Sequence, residues 1–149
     1  MARRMSTNNE QEYAQLEAFV GFYATSFWGI DPNSDIHPTI VGQRIAAQVG
    51  KSKALAGLRQ AANDCLEGIQ DLSAEEIVAL DMQLETLGIV TTTELLYRYS
   101  RKYKAIMKRG LVRNEADYHL IAAVASNMTI AILEQDRDAL ELMLAEFSR

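Results

Sequence analysis

The chain has 149 residues, is 48% hydrophobic and 23% charged, and carries a formal net charge of −5. That composition excludes a disordered protein and is enough for one domain with its own core. A single cysteine, Cys65, excludes an internal disulfide and points to a reducing compartment.

Apolar residues recur at spacings of three and four along nearly the whole chain, with no sustained alternation, so the pattern predicts an all-α protein. We expect one bundle of six or seven helices spanning residues 1–149, with residues 1–6 a disordered N-terminus. The first helix is expected to begin at Thr7, capped there with Glu10 reaching back. Its core stripe would be Tyr13, Leu16, Val20, Tyr23 and Phe27. Phe22 and Trp28 fall partly off that stripe and are candidates for an aromatic interface, since exposed Trp and Tyr often dominate binding surfaces. The turn formers of "GIDPNSDIHP" end the helix, and Pro38 suits the first turn of a second. Gly50 would separate this from a third helix, capped by Ser52 and buried through Leu55, Leu58, Ala62, Cys65, Leu66 and Ile69.

In "DLSAEEI", Ser73 and Glu76 form a capping box, with Leu72 and Ile77 as its hydrophobic staple. The stripe Ile77, Leu80, Leu84, Leu87 follows, and Gly88 can take the left-handed conformation that ends a helix. Thr91 with Glu94 opens a helix over 92–109 that stops at Gly110. Asn114 would cap "EADYHLIAAVAS". The last apolar series is Ile130, Leu133, Leu140, Leu144 and Phe147, interrupted by Arg137, and its periodicity leaves open whether residues 114–148 make one helix or two.

Charge is segregated along the chain. From Leu95 to Asn114 there are seven Lys or Arg and no Asp or Glu; from Gln60 to Tyr97 there are eight acidic residues and no Lys or Arg. On a helical projection of 92–109, Leu95, Leu96, Tyr99, Tyr103, Ile106 and Met107 share one side. Tyr97, Arg98, Arg101, Lys102, Lys104, Lys108 and Arg109 share the other. This second set is the candidate binding face, for a protein partner or for nucleic acid. Lys108 and Arg109 also sit in the last turn, where cations meet exposed carbonyls favourably.

"LETLGIVTTTELLYRYSRK" resembles the helix-turn-helix of tetracycline-repressor-type regulators over about 19 residues. The resemblance makes Leu87-Gly88-Ile89 the turn and Leu96-Tyr97-Arg98-Tyr99 the reading helix, and it implies DNA binding. It departs from that pattern by about two extra residues between Gly88 and Leu96, and by the acidic helix that would precede it.

Other motifs lack what their chemistry requires. "VGKS" has Ile45 where a phosphate-binding loop needs glycine. Asp31, Asn33 and Asp35 alternate as in a calcium loop, but Ile36 and Gly42 stand where glycine and glutamate are needed. Glu115 and His119 are one turn apart, half of a metal site, with no further ligand set in view. Cys65 lies on an apolar stripe, where packing is its expected role. We therefore expect no catalytic set, cofactor or metal. The longest uncharged stretch, Ala18 to Ile30, is 13 residues, short of the ~20 needed to span a bilayer. The expectation is a cytoplasmic, non-enzymatic protein-interaction module, such as a small bacterial inhibitor, immunity protein or adaptor, with homo-oligomer formation open and no membrane partner. The alternative is a DNA- or RNA-binding regulator using 92–109.

Overall fold

The computed structural model describes residues 5–148. Among them are eight α-helices and no strand: α1 (Thr7–Ser26), α2 (Pro38–Val49), α3 (Lys51–Gly68), α4 (Ala74–Thr86), α5 (Thr92–Tyr99), α6 (Arg101–Arg109), α7 (Glu115–Ser126) and α8 (Glu134–Phe147). The protein is all-α, with more helices than expected because the 92–109 helix is broken. Ser100 has extended backbone (φ −62°, ψ 120°), ends α5 with its N–H, and accepts the Tyr103 N–H on its hydroxyl as the N-cap of α6. Serine competes for backbone hydrogen bonds in this way wherever a helix allows it. Residues 127–133 are not helical, so α7 and α8 are separate.

Most helix boundaries follow local chemistry. Ser73 and Glu76 form the expected capping box, Thr91 caps α5, and Asn114 caps α7. Gly88 (φ 72°) and Gly110 (φ 73°) take left-handed conformations that let α4 and α6 stop. Two caps differ from expectation. Ser6, not Thr7, accepts the Asn9 N–H at the start of α1, and α3 begins at Lys51, which puts Ser52 inside its first turn. The expectation of disorder at the N-terminus concerns residues 1–4, which lie outside the described residues, and Met5 and Ser6, of which Ser6 is this cap.

The contacts group the chain into two compact units, dividing between Cys65 and Leu66 within α3. In the first, α1 buries Tyr13, Leu16, Phe19, Val20, Tyr23 and Ala24. Phe27 is largely exposed instead of buried, because α1 ends at Ser26 and its stripe ends with it. α2 crosses α1 closely: a Cβ on Gly21 would come within 2.9 Å of Thr39 Oγ1. Buried His37 is the N-cap of α2. Its Nδ1 accepts the Thr39 N–H, which leaves the ring proton on Nε2 to donate to Thr25 Oγ1, 3.0 Å away. Arg59 pairs with Glu12 across α1 and α3.

In the second unit α7 is central, packing against α4, α5, α6 and α8 and burying Leu120, Ile121, Ala123 and Val124. Ile77, Leu80 and Leu84 of α4, Leu95 and Leu96 of α5, Ile106 of α6, and Leu140 and Met143 of α8 are also buried. Leu87 and Leu133 are exposed; each sits at a helix end, beyond the face that its series extrapolates. Arg137, the interruption in the α8 series, donates to the carbonyls of Ala125 and Asn127 and so closes the C-terminal end of α7.

Inside this unit lies a buried carboxylate. Asp81 accepts the Thr92 N–H (2.8 Å) and the Thr93 hydroxyl (2.7 Å), so that α4 holds the first turn of α5. Asn127 donates to Thr93 Oγ1 in turn. Burial raises the Asp81 carboxyl above the usual carboxylate range, against the hydrogen bonds that lower it.

Two outcomes follow from this packing. Leu84→Ala is expected to cost about 2–5 kcal/mol, and Leu87→Ala no more than about 0.5, both read by urea denaturation. The folded state also holds the Asp81 proton more readily than the unfolded chain. Its contribution is therefore greatest at low pH and is lost as pH rises through the raised pKa. Asp81→Asn, which cannot ionise, is expected to flatten that pH dependence just above the ordinary carboxylate range.

Candidate functional site on α5 and α6

The seven candidate residues do not form one face. The break at Ser100 separates α6 from α5, and three of the six candidate cations are used inside the unit. Arg98 pairs with Glu94 one turn back (3.2 Å). Lys102 (3.9 Å) and Arg109 (2.7 Å) converge on Asp117, a buried carboxylate in the first turn of α7. Asp117 also accepts the Arg113 N–H, and its own N–H is capped by Asn114. Arg109 donates through Nε to the Leu111 carbonyl, bracing the turn between α6 and α7. Lys102 and Arg109 hold α6 to α7, and Arg98 braces α5.

Tyr97 is engaged as well. Its hydroxyl donates to Asp136 (3.0 Å) and accepts the Leu133 N–H (3.3 Å), supplying the start of α8 with a bond that no local side chain provides. Arg101, Lys104 and Lys108 remain. All three are exposed, and among the described residues no ion pair takes them up. With exposed Ala105 they fall at i, i+3, i+4 and i+7, a single stripe on the outer side of α6.

Beside Lys104 a shallow cleft of about 370 Å³ is lined by Tyr97, Tyr103, Lys104, Met107 and Asp136. The Tyr97 and Tyr103 rings meet edge to face, 5.7 Å between centroids. The Tyr103 hydroxyl is buried without a hydrogen-bond partner. Its pKa is raised by burial, and further by Asp136 and Tyr97. Burial likewise raises the Tyr97 hydroxyl. Both tyrosines therefore stay protonated at neutral pH. The cleft can offer a cation at its mouth and apolar walls; it holds no nucleophile–base pair.

Sequence reasoning missed Asp117 and Asp136, because their partners lie 8 to 39 residues away and no spacing rule links them. The α4–α5 pair lies where the regulator resemblance puts its two helices. There Leu96 is buried and Tyr97 is bonded to α8, so the helix named as the reading head spends those side chains inward. Of the remaining candidates, Phe22 is half-buried on α1. Trp28 is 49% exposed, with its ring edge-on to Tyr23 at 5.3 Å. His119 does not wait for a metal: its Nδ1 accepts the Ala74 N–H at 3.0 Å, completing the start of α4. Cys65 is fully buried, and burial pushes its thiol up to about 12, which leaves it unreactive. No known protein family, curated protein or solved structure matches the chain.

The division between holding and free cations is measurable. Asp117→Ala strands two cations and the Arg113 N–H, and is expected to lower stability by about 1–3 kcal/mol, discounted for the partial exposure of its partners. Lys104→Ala is expected to change it by no more than about 0.5 kcal/mol. Chemical denaturation at matched salt reads both.

Proposed function

We propose that the protein is a non-enzymatic interaction module that docks an acidic surface of another protein onto the outer face of α6. The observation that carries this reading is the stripe Arg101, Lys104, Ala105 and Lys108, which is exposed and has no ion-pair partner among the described residues. Three cations around a small residue let an acidic helix or strand approach closely, and charges of this kind chiefly set association rate and specificity. Inhibitors, immunity proteins and adaptors are the class of function this fits.

Nucleic acid is a weaker match to the same surface. Phosphate binding gains affinity with every cation that neutralises the backbone, and here three of the six candidate cations face outward while Arg98, Lys102 and Arg109 are paired. No helix among the described residues is long and apolar enough to cross a membrane.

The test is fluorescence anisotropy with a labelled glutamate-rich peptide and a labelled random DNA duplex, each between roughly 50 and 200 mM salt. Wild-type protein is expected to bind the peptide more tightly than the duplex. The triple change Arg101→Glu, Lys104→Glu, Lys108→Glu is expected to weaken peptide binding at least about tenfold through slower association. Its helical circular dichroism should be unchanged, because none of the three side chains is buried. Tighter binding to the duplex, falling steeply with salt, overturns the reading in favour of a regulator. Peptide binding that survives the triple reversal removes α6 as the docking face.

A further inference from the structure

α2 is built inside out. Its more sheltered side is made of small residues, Thr39, Gly42 and Ala46, and the Thr39 end of it packs on Gly21 of α1. Of its large aliphatic residues, Ile40 is half-buried and the other three point away. Val41, Ile45 and Val49 are 36%, 40% and 49% exposed, and no residue of the helix is buried. A helix of 12 residues is marginal in water without packing, and Thr39, Ile40, Val41, Gly42, Ile45 and Val49 are poor helix formers. The sequence therefore asks for a cover on this face that the first unit does not supply.

We infer that the cover is the α2 of a second copy of this chain, in a two-fold antiparallel helix pair. The stripe itself supports a second copy. Val41, Ile45 and Val49 are spaced by four on both sides of Ile45, so reversing the helix maps the stripe onto itself. Ile45 meets its own counterpart at the axis, and Val41 meets Val49 of the other copy. Rows spaced by four are also the ridges that interdigitate in the commonest class of helix packing. Charge argues against other occupants. α2 has no Asp, Glu or Lys, and the guanidinium of its one cation, Arg44, donates to the Asp35 carbonyl at 2.8 Å. A basic partner finds no carboxylate to pair with on this helix. A membrane-surface helix needs a basic polar side, which α2 lacks. Ile36, Phe27 and Trp28 of the same unit are also exposed. A contact confined to the α2 stripe is small, below the size of stable specific interfaces. The dimer is accordingly a weak one, in exchange with monomer at micromolar concentrations. This surface is separate from the α6 face and does not depend on that reading.

Sedimentation velocity on the full chain tests the pairing. Wild-type protein is expected to pass from monomer to twice that mass between roughly 1 and 100 µM, the range of a weak, micromolar association. Ile45→Asp and Ile45→Lys are each expected to stay monomeric, because like charges then face each other at the axis. An equimolar mixture of the two should dimerise again. Ile45→Ala, which improves helix propensity and so guards against loss of α2, is expected to weaken the dimer at least about tenfold with helical circular dichroism retained. Monomeric wild-type protein at 100 µM overturns the inference, as does an Ile45→Ala dimer of undiminished strength or a mixture that stays monomeric. Wild-type protein that remains monomeric yet binds anionic phosphatidylserine vesicles overturns it in favour of a membrane surface.

Discussion

The second unit depends on one requirement: the free N–H groups at the start of each helix must find acceptors. Asp81 meets it for α5 by taking a carboxylate into the core and aiming it at the Thr92 N–H. His119 on α7 does the same for α4, and Tyr97 on α5 for α8. These three helix starts are each completed by a neighbour, so sliding the helices past one another breaks these bonds and at α5 strands a buried donor. This explains how a unit of short helices, two of them only 8 and 9 residues long, keeps one arrangement. Apolar packing alone specifies register loosely, whereas a stranded buried donor costs about 1–3 kcal/mol.

The same economy governs charge. The basic stretch looks in sequence like a single face, and in the fold it has two jobs. Asp117 gathers Lys102 and Arg109 at the junction of α6 and α7, and Glu94 takes Arg98. These pairs lie partly out of water, where ion pairs matter more than on an open surface. What is left outside is the α6 stripe. The excess of positive charge in an acidic chain is thus partly structural cement and partly an outward-facing surface, and the break at Ser100 decides which cation does which.

The sequence pattern makes the all-α class, most helix bounds and most of the core legible, because these follow from local rules. Ser73 with Glu76, Pro38, Thr91, Gly88, Gly110 and Asn114 are all visible within four residues of what they do. The core series fail only at their ends. Phe27, Leu87 and Leu133 continue an apolar spacing past the last helical turn, where periodicity no longer predicts direction. Ser100 is hidden for a different reason: the apolar spacing from Leu95 to Met107 fits an unbroken helix, and a serine is compatible with either outcome. The candidate site was legible in composition and not in geometry. Which cations are consumed depends on Asp117 and Glu94. Only Glu94 lies in sight of its partner, and Asp117 joins the cluster across the α6–α7 turn.

The two outward surfaces also differ in the physics they place on the chain. The α6 stripe is a solvated set of charges on a helix anchored by Tyr103 and Ile106, so it can stand empty at little cost. The α2 stripe cannot, because its aliphatic residues remain in water and its helix has no buried side chain to hold it. A surface that is stable when empty suits encounter with a separate partner at a salt-dependent rate. A helix that is unstable when empty suits a neighbour that is always present, as a second copy of the chain is at the protein's own concentration. Copies joined through α2 would each carry an α6 face, and two such faces on one particle raise the effective concentration at a partner with repeated acidic segments. Assembly through one unit and recognition through the other would then act as a single device.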